Sequence, residues 1–505
     1  MRKRGNLNFK FILLNIITCF VRVSKSYLIP IRNWTINKNL FSHNFISTVS
    51  VIPMMRRNHS NLLECKVSRR TDLADFLNQN TNRIKSWSNS QDQGEERQMS
   101  FKIIMGNEAG DADSIISAIT LAHVESLRKH DESKMEVLLP IASIARQDIG
   151  LRNDINLLFD IVGIDQEQDL IYLDDDIFQK IVHDDNIHKS VVLVDHNKLR
   201  SDLWHLEGYV EEIIDHHQDE GAHSDSVHDD LREIAFEDNG ATAGSTCTLI
   251  VERLMVYMHD NDNHTSGTER VVDPGLGLAL LGVILLDTMN MSEHAGKGTL
   301  RDQKAIDFLM DHVAWDSLNL KEPMRSKIFS FASSSKGALI PNREHLFIML
   351  QDSKFDPDFW ARMSARDALR IDYKRFEASQ SNKNVFGLSS VLLSMEDLIS
   401  KPNFSQAAIS FMQEVDVNLL GVLTMVIKND KPVRELVLIG DSQIVQNMAS
   451  YLLHNENASI LDIKEGSNTL SPLEIIDSGH VMMKLKQGNP KGSRKQVAPI
   501  MLSYF

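Results

Sequence analysis

Residues 101–124 read FKIIMGNEAGDADSIISAITLAHV, and this stretch decides the fold. A short apolar run at 101–105 leads into a polar, Gly-containing loop, and then into a segment whose apolar residues recur at helical spacing. We interpret the three parts as a strand, a loop and a helix with Ser114 as its N-cap. Strands that alternate with helices are typical of βαβ units, so the pattern predicts an α/β fold with a largely parallel sheet.

Three more apolar runs end in acidic or imidazole side chains. The runs and the residues that follow them are 191–194 with Asp195, His196 and Asn197, 213–214 with Asp215, His216 and His217, and 276–286 with Asp287. The last run suits a buried helix as well as a strand. Ligands of parallel sheets bind at the carboxyl ends of the strands, so these side chains are expected to converge there.

Such a convergence points to a cation site. Helix capping does not explain five Asp and two adjacent His at one edge, and buried carboxylates repel each other unless a cation lies between them. Oxygen ligands with one or two imidazoles suit Mn²⁺ or Mg²⁺ better than zinc or copper.

The order GNxxxDxDS, VDHN, IDHH and LLDTxN resembles the motifs of the DHH phosphoesterase superfamily, which is named for its Asp-His-His signature. Blocks further along resemble the second domain, DHHA2, of the branch that contains manganese-dependent family II pyrophosphatases, fungal exopolyphosphatases and prune proteins. These blocks are ALRIDYKRF (368–376), GLSSV (387–391), RELVLIGDS (434–442) and SRKQVAP (493–499). Within that branch, ARQDIGLRND (145–154) and GVILLDTMNM (282–291) favour the fungal-type exopolyphosphatase.

The resemblance implies an N-terminal DHH domain with a mostly parallel sheet flanked by helices, and a smaller C-terminal mixed α/β DHHA2 domain. The active site would lie in the cleft between them. We predict these segments: 1–65, a targeting presequence; 66–94, a helix over 72–85 and a polar linker; 95–325, the DHH domain; 326–344, a linker with a Ser- and Gly-containing hinge; and 345–505, the DHHA2 domain.

The resemblance also implies two divalent cations, Mn²⁺ or Mg²⁺. Asp195 would bridge them, Asp111 would complete one site with Asn107 beside it, and the other site would use Asp113, His216 and Asp287. Asn107 stands where soluble pyrophosphatases have a ligand His, which favours the exopolyphosphatase and prune branches. His217 would face substrate phosphate and act with Asp195 in catalysis, and Lys374, Arg494, Lys495 and Arg152 would contact phosphate.

This chemistry needs no nucleophilic side chain, because water is the attacking group. Two cations roughly 3.5 to 4 Å apart would acidify a shared water for attack on phosphorus. His217 would donate a proton to the leaving phosphate or bind its oxygen. We find no convincing Ser/His/Asp arrangement, Cys/His arrangement or P-loop.

We therefore predict an exopolyphosphatase that releases orthophosphate from inorganic polyphosphate. The enzymatic alternatives are an inorganic pyrophosphatase and a prune-like phosphodiesterase that acts on short polyphosphates or cyclic nucleotides. The non-enzymatic alternative is a prune-like interaction protein with a vestigial site. The residues do not predict the oligomeric state.

Charge is distributed unevenly along the 505 residues, whose net charge is −15. Residues 1–63 hold ten basic residues and no acid, which is typical of a mitochondrial presequence; the remainder holds 44 basic and 69 acidic residues. A secretory signal, with its apolar region at 11–21, and a translation start at Met54 or Met55 remain alternatives. We therefore expect the protein in the mitochondrial matrix, in the cytoplasm, or in both.

The rest of the composition limits the classes of binding partner that we expect. No apolar run reaches the roughly 20 residues of a spanning helix, so we expect no stable membrane insertion. Three scattered Cys argue against a disulfide framework or a zinc cage. Residues 478–505 carry five basic residues and no acid, but no interleaved aromatics, which favours phosphate over nucleic acid as a partner.

Overall fold

The computed structural model describes residues 71–92, 99–128, 136–238, 240–262, 271–331, 339–377, 385–428, 431–465, 473–477 and 479–505. The predicted presequence, 1–65, and residues 332–338 of the predicted hinge lie outside these ranges. Within them, no helix combines the length and the apolar character needed to cross a bilayer.

The first described element is helix α1 (Asp72–Asp92), one and a half times the length predicted for it. Its start is held by long-range contacts: the Thr71 hydroxyl donates to the Val162 carbonyl at 2.8 Å, and the Asp273 carboxylate accepts the Asp72 amide at 3.1 Å. Leu73 and Leu77 are buried in the first apolar core. Helix α1 therefore packs as a part of the N-terminal layer.

A six-stranded parallel sheet forms the N-terminal half, as the sequence predicted. Its strands are β1 (Ser100–Met105), β2 (Glu136–Ala142), β3 (Ile171–Tyr172), β4 (His188–Val194), β5 (Val210–Asp215) and β6 (Arg232–Ile234). The spatial order is β3-β2-β1-β4-β5-β6, and all pairs are parallel. The order reverses between β1 and β4, which is the position where open α/β sheets bind ligands.

Helices cover both faces of this sheet. They are α2 (Ala112–Leu127), α3 (Asn153–Val162), α4 (Asp176–His183), α5 (Thr246–Asp262), α6 (Pro274–Asp287), α7 (Leu300–His312) and α8 (Met324–Ile328); a ribbon of β7 (Phe236–Glu237) and β8 (Gly240–Ala241) precedes α5. Two apolar clusters, one on each face, leave β1, β2 and β4 buried on both sides. This double burial explains why those strands appear in the sequence as continuous apolar runs.

The ambiguous run at 276–286 is helix α6. Pro274 occupies its first turn, and the Asp273 side chain caps it by accepting the Leu276 amide at 2.8 Å. The helix is apolar on every side because it is buried from Pro274 to Leu286 among α2, α3, α5 and α7.

The described residues of the segment predicted as a linker form regular elements. Strands β9 (Phe329–Phe331) and β10 (Leu339–Pro341) pair antiparallel, and α9 (Arg343–Lys354) follows. Leu346 and Leu350 of α9 are buried in the first core against α3 and α6. The predicted domain start at 345 thus falls inside a helix that packs on the N-terminal half.

The C-terminal half is a mixed α/β layer, as predicted. Its strands are β11 (Tyr373–Glu377), β12 (Val385–Val391), β13 (Leu419–Lys428), β14 (Lys431–Gly440), β15 (Ile463–Glu465), β16 (Leu473–Ile475) and β17 (Val481–Gln487). Their order is β11-β12-β13-β14-β17-β15, with β16 also paired to β17; β12 and β13 are parallel and the other pairs antiparallel. The helices are α10 (Pro357–Arg362), α11 (Ala365–Arg370), α12 (Met395–Ile399), α13 (Phe404–Glu414), α14 (Ser442–His454) and α15 (Arg494–Leu502).

Candidate active site

The loop after β1 is folded tightly beneath the site. A side chain at Gly106 would meet Ser114 atoms at 2.6 Å, and Gly110 adopts the left-handed region with φ +51°. Asp111, not Ser114 as predicted, is the N-cap of α2, because its side chain accepts the Ser114 amide at 3.1 Å. The close approach at Gly106 places the Ser114 hydroxyl inside the loop, where it serves the site.

Asp195 is held by one of its oxygens. Its backbone lies in the left-handed region with φ +62°, which is uncommon for a residue other than Gly and is often found at functional sites. Its Oδ2 accepts the Ser114 hydroxyl at 2.6 Å and Asn107 Nδ2 at 2.7 Å. Asn107 Oδ1 accepts the Ala109 amide at 2.8 Å, so this predicted ligand orients Asp195 with one end and the loop with the other.

Asp113 lies in a cradle of donors at the N-terminus of α5. Its carboxylate accepts the Ser245 hydroxyl at 2.8 Å, the Thr246 amide at 2.8 Å and the Cys247 amide at 3.0 Å. Helix N-termini favour negative charge, so this arrangement stabilises a buried carboxylate. Asp113 is nevertheless strained electrostatically: burial and the nearby Asp195 raise its pKa.

His216 directs its Nε2 at the two buried carboxylates. Its Nδ1 lies 3.0 Å from the Ala243 carbonyl, which only accepts, so Nδ1 carries a proton. Nε2 lies 3.4 Å from Asp195 Oδ1 and 3.7 Å from Asp113 Oδ2. Burial and Lys495 oppose a charge on the ring, but the two carboxylates raise the pKa of His216 to about 9.

His217 is oriented by Asp215. The Asp215 Oδ1 lies 2.8 Å from His217 Nδ1, and Asn197 donates to the other oxygen at 2.7 Å. The imidazoles lower the pKa of Asp215 despite its burial, so it is ionised and His217 Nδ1 donates to it. Burial and Lys495 lower the pKa of His217 to about 3, so its Nε2 carries a lone pair at neutral pH. Such a lone pair accepts a hydrogen bond or a metal ion.

Asp287 reaches the site from the C-terminal end of α6. Its Oδ2 is buried without a hydrogen-bond partner, and burial with Asp113 nearby raises its pKa well above the ordinary value. The next residues are strained, since Met289, Asn290 and Met291 have φ values of +52°, +52° and +59°. An unpaired buried carboxylate oxygen is costly unless a cation accompanies it.

The donor set fits a divalent cation. Ligand atoms of Asp195, His216 and His217 lie within 4.8 Å of one another. Burial raises the pKa of Asp113, Asp195 and Asp287, repulsion from neighbouring carboxylates adds to the effect, and a cation among these carboxylates would relieve that repulsion. Carboxylate oxygens with imidazole nitrogen are hard to borderline donors. The predicted site residues that the structure brings together are thus Asp111, Asp113, Asp195, His216, His217 and Asp287, with Asn107 supporting Asp195.

Lys374 and Lys495 face this acidic centre from the C-terminal half. Although burial opposes it, the charge of Lys374, ahead of that of Lys354, lowers the pKa of Asp111 to about 2. Lys495, after burial, opposes a positive charge on both His216 and His217. These two cations therefore act electrostatically on the acidic centre from the C-terminal half.

The two predicted arginines are engaged elsewhere. Arg152 is 7% exposed, and it donates Nε to the Gly110 carbonyl at 2.9 Å and Nη2 to the Ala109 carbonyl, so it supports the loop after β1. Arg494 donates Nη1 to the Asp372 carbonyl at 2.8 Å and pairs with its carboxylate at 2.7 Å. Arg494 thereby fixes α15 to the start of β11.

Sequence reasoning missed two further cations. Lys354, at the end of α9, lies 3.6 Å from Asp154, and although burial opposes its charge, Asp154, Asp287 and Asp111 raise its pKa. Lys297 lies in the loop after α6, where burial lowers its pKa and Lys354 adds to the effect while Asp287 opposes it. No motif marked either residue, because their charges meet only after α6 and α9 pack together.

Known proteins are similar to both halves. A model described as the DHH family, N-terminal domain, matches residues 102–283, and the DHHA2 domain model matches residues 350–504. The human protein named exopolyphosphatase PRUNE1 is 26% identical over 400 residues, covering 79% of this chain and 74% of its own.

Two further matches extend the range of organisms. A Schizosaccharomyces pombe protein that bears an exopolyphosphatase name is 27% identical over 407 residues, covering 80% of this chain and 90% of its own. A family II inorganic pyrophosphatase structure from Methanococcus jannaschii has a TM-score of 0.47 and 17% identity, covering 81% of this chain and 99% of its own.

Proposed function

We propose that this chain, which belongs to the DHH family and carries a C-terminal DHHA2 domain, is a metal-dependent exopolyphosphatase. It would hydrolyse the terminal phosphoanhydride bond of inorganic polyphosphate and release orthophosphate. The observation that carries the proposal is the acidic and imidazole cluster of Asp195, His216 and His217, with Lys374 and Lys495 facing it from the second domain. The exopolyphosphatase names of the human and S. pombe relatives support it.

The proposed cofactors are two divalent cations, Mn²⁺ or Mg²⁺. Asp195 would be shared, Asp111 would complete one site, and Asp113, His216 and Asp287 would complete the other. Bound cations supply a nucleophilic water at neutral pH and offset the charge of the phosphoryl group.

The protein's own residues would bind and orient the substrate. Lys374 and Lys495 would grip oxygens of the terminal phosphates, since ammonium groups bind phosphate as point charges. His217, fixed by Asp215 at 2.8 Å, would direct Nε2 at a phosphate hydroxyl or at the cation. In this protonation state it accepts a proton; donation to the leaving phosphate would need the imidazolium form.

Phosphate release tests the proposal. The full chain is assayed with Mn²⁺ or Mg²⁺ on long polyphosphate, tripolyphosphate, pyrophosphate and cyclic AMP. We expect the two longer substrates to release orthophosphate and the Asp195→Ala variant to lose at least about a thousandfold in kcat, the scale of a lost catalytic group. No release from any polyphosphate, or release unchanged in Asp195→Ala, would refute it. Preference for pyrophosphate or cyclic AMP would select a different hydrolase.

A further inference from the structure

Strand β11 lies at the edge of the second sheet and pairs with β12 alone among the described strands. Edge strands present backbone amides on their open side. One such amide, that of Arg375, donates to the carboxylate Oε1 of Glu108 at 2.9 Å, across 267 residues of sequence. A loop of the first domain therefore caps the open edge of the second.

Glu108 belongs to the loop that shapes the metal centre. It directly follows Asn107, whose side-chain amide donates to Asp195 at 2.7 Å. It precedes the Ala109 and Gly110 carbonyls, which accept hydrogen bonds from Arg152. The loop is thus fixed on its own side of the cleft. The hydrogen bond from this loop to β11 therefore also fixes the position of the strand.

On the strand side, the amide bound by Glu108 is next to Lys374. Because Arg375 binds the loop that carries Asn107 and Asp111, its neighbour Lys374 is held beside that loop. The Arg375 guanidinium pairs with Glu377, so Glu108 holds the strand by its backbone and not by a side chain. The other end of β11 is tied by the Arg494 contact to the Asp372 carbonyl at 2.8 Å. The backbone on both sides of Lys374 is therefore fixed.

We propose that Glu108 is a positioning residue that docks strand β11 on the metal-binding loop and thereby places Lys374 over the terminal phosphate. The effect on turnover rests on the proposed function, whereas the docking itself does not. A carboxylate near a polyanionic substrate reduces affinity by repulsion unless it provides a compensating contact. The bond from a charged acceptor to an open amide is such a contact.

Three variants separate docking from charge and from side-chain identity. Glu108→Ala removes the acceptor, Glu108→Gln keeps an acceptor of the same length, and Arg375→Ala keeps the amide. Asp148→Asn is the matched control, since Asp148 pairs across the same cleft with Arg370 of α11 and not with an amide of β11.

Hydrogen–deuterium exchange of residues 373–377 in the metal-free full chain measures docking without turnover. We expect exchange to accelerate roughly tenfold in Glu108→Ala, the effect of losing one bond to a charged group, and to stay near wild type in Glu108→Gln and Arg375→Ala. Unchanged exchange in Glu108→Ala overturns the proposal. Equal acceleration in Asp148→Asn also overturns it, because general loosening would then explain the effect.

Kinetics on tripolyphosphate test the placement of Lys374. We expect Glu108→Ala to raise KM roughly tenfold with a smaller change in kcat, and to add little in a Lys374→Ala background, where the group it positions is gone. Faster exchange with an unchanged KM, or additive effects of the two substitutions, overturns the placement. If the wild type releases no phosphate, the proposed function fails, and the exchange experiment still decides the docking.

Discussion

Ser114→Ala tests how the site holds its shared carboxylate. The Ser114 hydroxyl donates to Asp195 Oδ2 at 2.6 Å, a length typical of a charge-assisted bond. It accepts a hydrogen bond from the backbone amide of Asn107 at 3.2 Å. With this bond in place, Oδ1 is left to face His216. Without it, Oδ2 keeps the bond from Asn107 Nδ2 but loses its second donor, so the carboxylate is less firmly oriented and binding a cation must supply part of that ordering.

The magnitude follows from the bond. A hydrogen bond to a charged group contributes about 1.5 to 3 kcal/mol, which corresponds to roughly 10- to 100-fold in affinity. Partners that orient metal ligands have effects of the same size. We therefore expect Ser114→Ala to weaken Mn²⁺ binding by roughly 10- to 100-fold.

Electron paramagnetic resonance of free Mn²⁺ during titration of the full chain measures this affinity without turnover. The matched control is Ser126→Ala on the same helix, whose hydroxyl donates at 2.6 Å to the His123 carbonyl of its own turn. A Ser114→Ala affinity within threefold of wild type, or an equal loss in Ser126→Ala, would refute the role assigned to this hydroxyl.

Three further expectations are independent of that bond. His123 is buried with Nδ1 unpaired, and burial lowers its pKa to about 4, against about 6.5 in the unfolded chain. Because only the unfolded chain then takes up a proton between these values, the free energy of unfolding should be highest above pH 6.5 and fall by roughly 3 kcal/mol as the pH drops to 4. In urea unfolding, His123→Leu should lose less stability than wild type over this range by that amount, and an equal loss in both proteins would contradict this. Lys495→Ala should raise KM for polyphosphate roughly tenfold while the exposed control Lys491→Ala leaves it unchanged, and equal effects would remove Lys495 from the site. Residues 1–65 fused to a fluorescent protein should deliver it to mitochondria, and a purely cytosolic signal would refute the presequence.

The strand ends were predictable because buried parallel strands are continuous apolar runs. Asp195 directly follows β4, and Asp215 ends β5 with His216 after it, so sequence position alone brings them to one edge. The α6 run was ambiguous because an apolar segment that is buried on every side has no periodicity. Its start, with Asp273 as cap and Pro274 in the first turn, carried the helical signal that the run itself lacked.

The contacts that orient these side chains were not predictable. Ser114 was interpreted as a cap because Ser is a good one, yet Asp111 caps α2 and the close approach at Gly106 turns the hydroxyl toward Asp195. Arg152 was expected on phosphate, but it meets two carbonyls of a loop about 40 residues away. Such pairings depend on where packed segments meet, which local pattern does not encode.

Charge explains why each half needs the other. The first half buries Asp113, Asp195 and Asp287, and burial raises the pKa of each, with repulsion from neighbouring carboxylates adding to it, so this surface attracts cations and repels a polyanion. The second half supplies Lys374 and Lys495, which attract phosphate but hold no metal. The excess of acids over bases in residues 64–505 is therefore a poor guide to the substrate. On the proposed function, a polyanion would bind where both surfaces meet, and a contact that fixes their spacing, such as that of Glu108 with β11, would determine how strongly it is held.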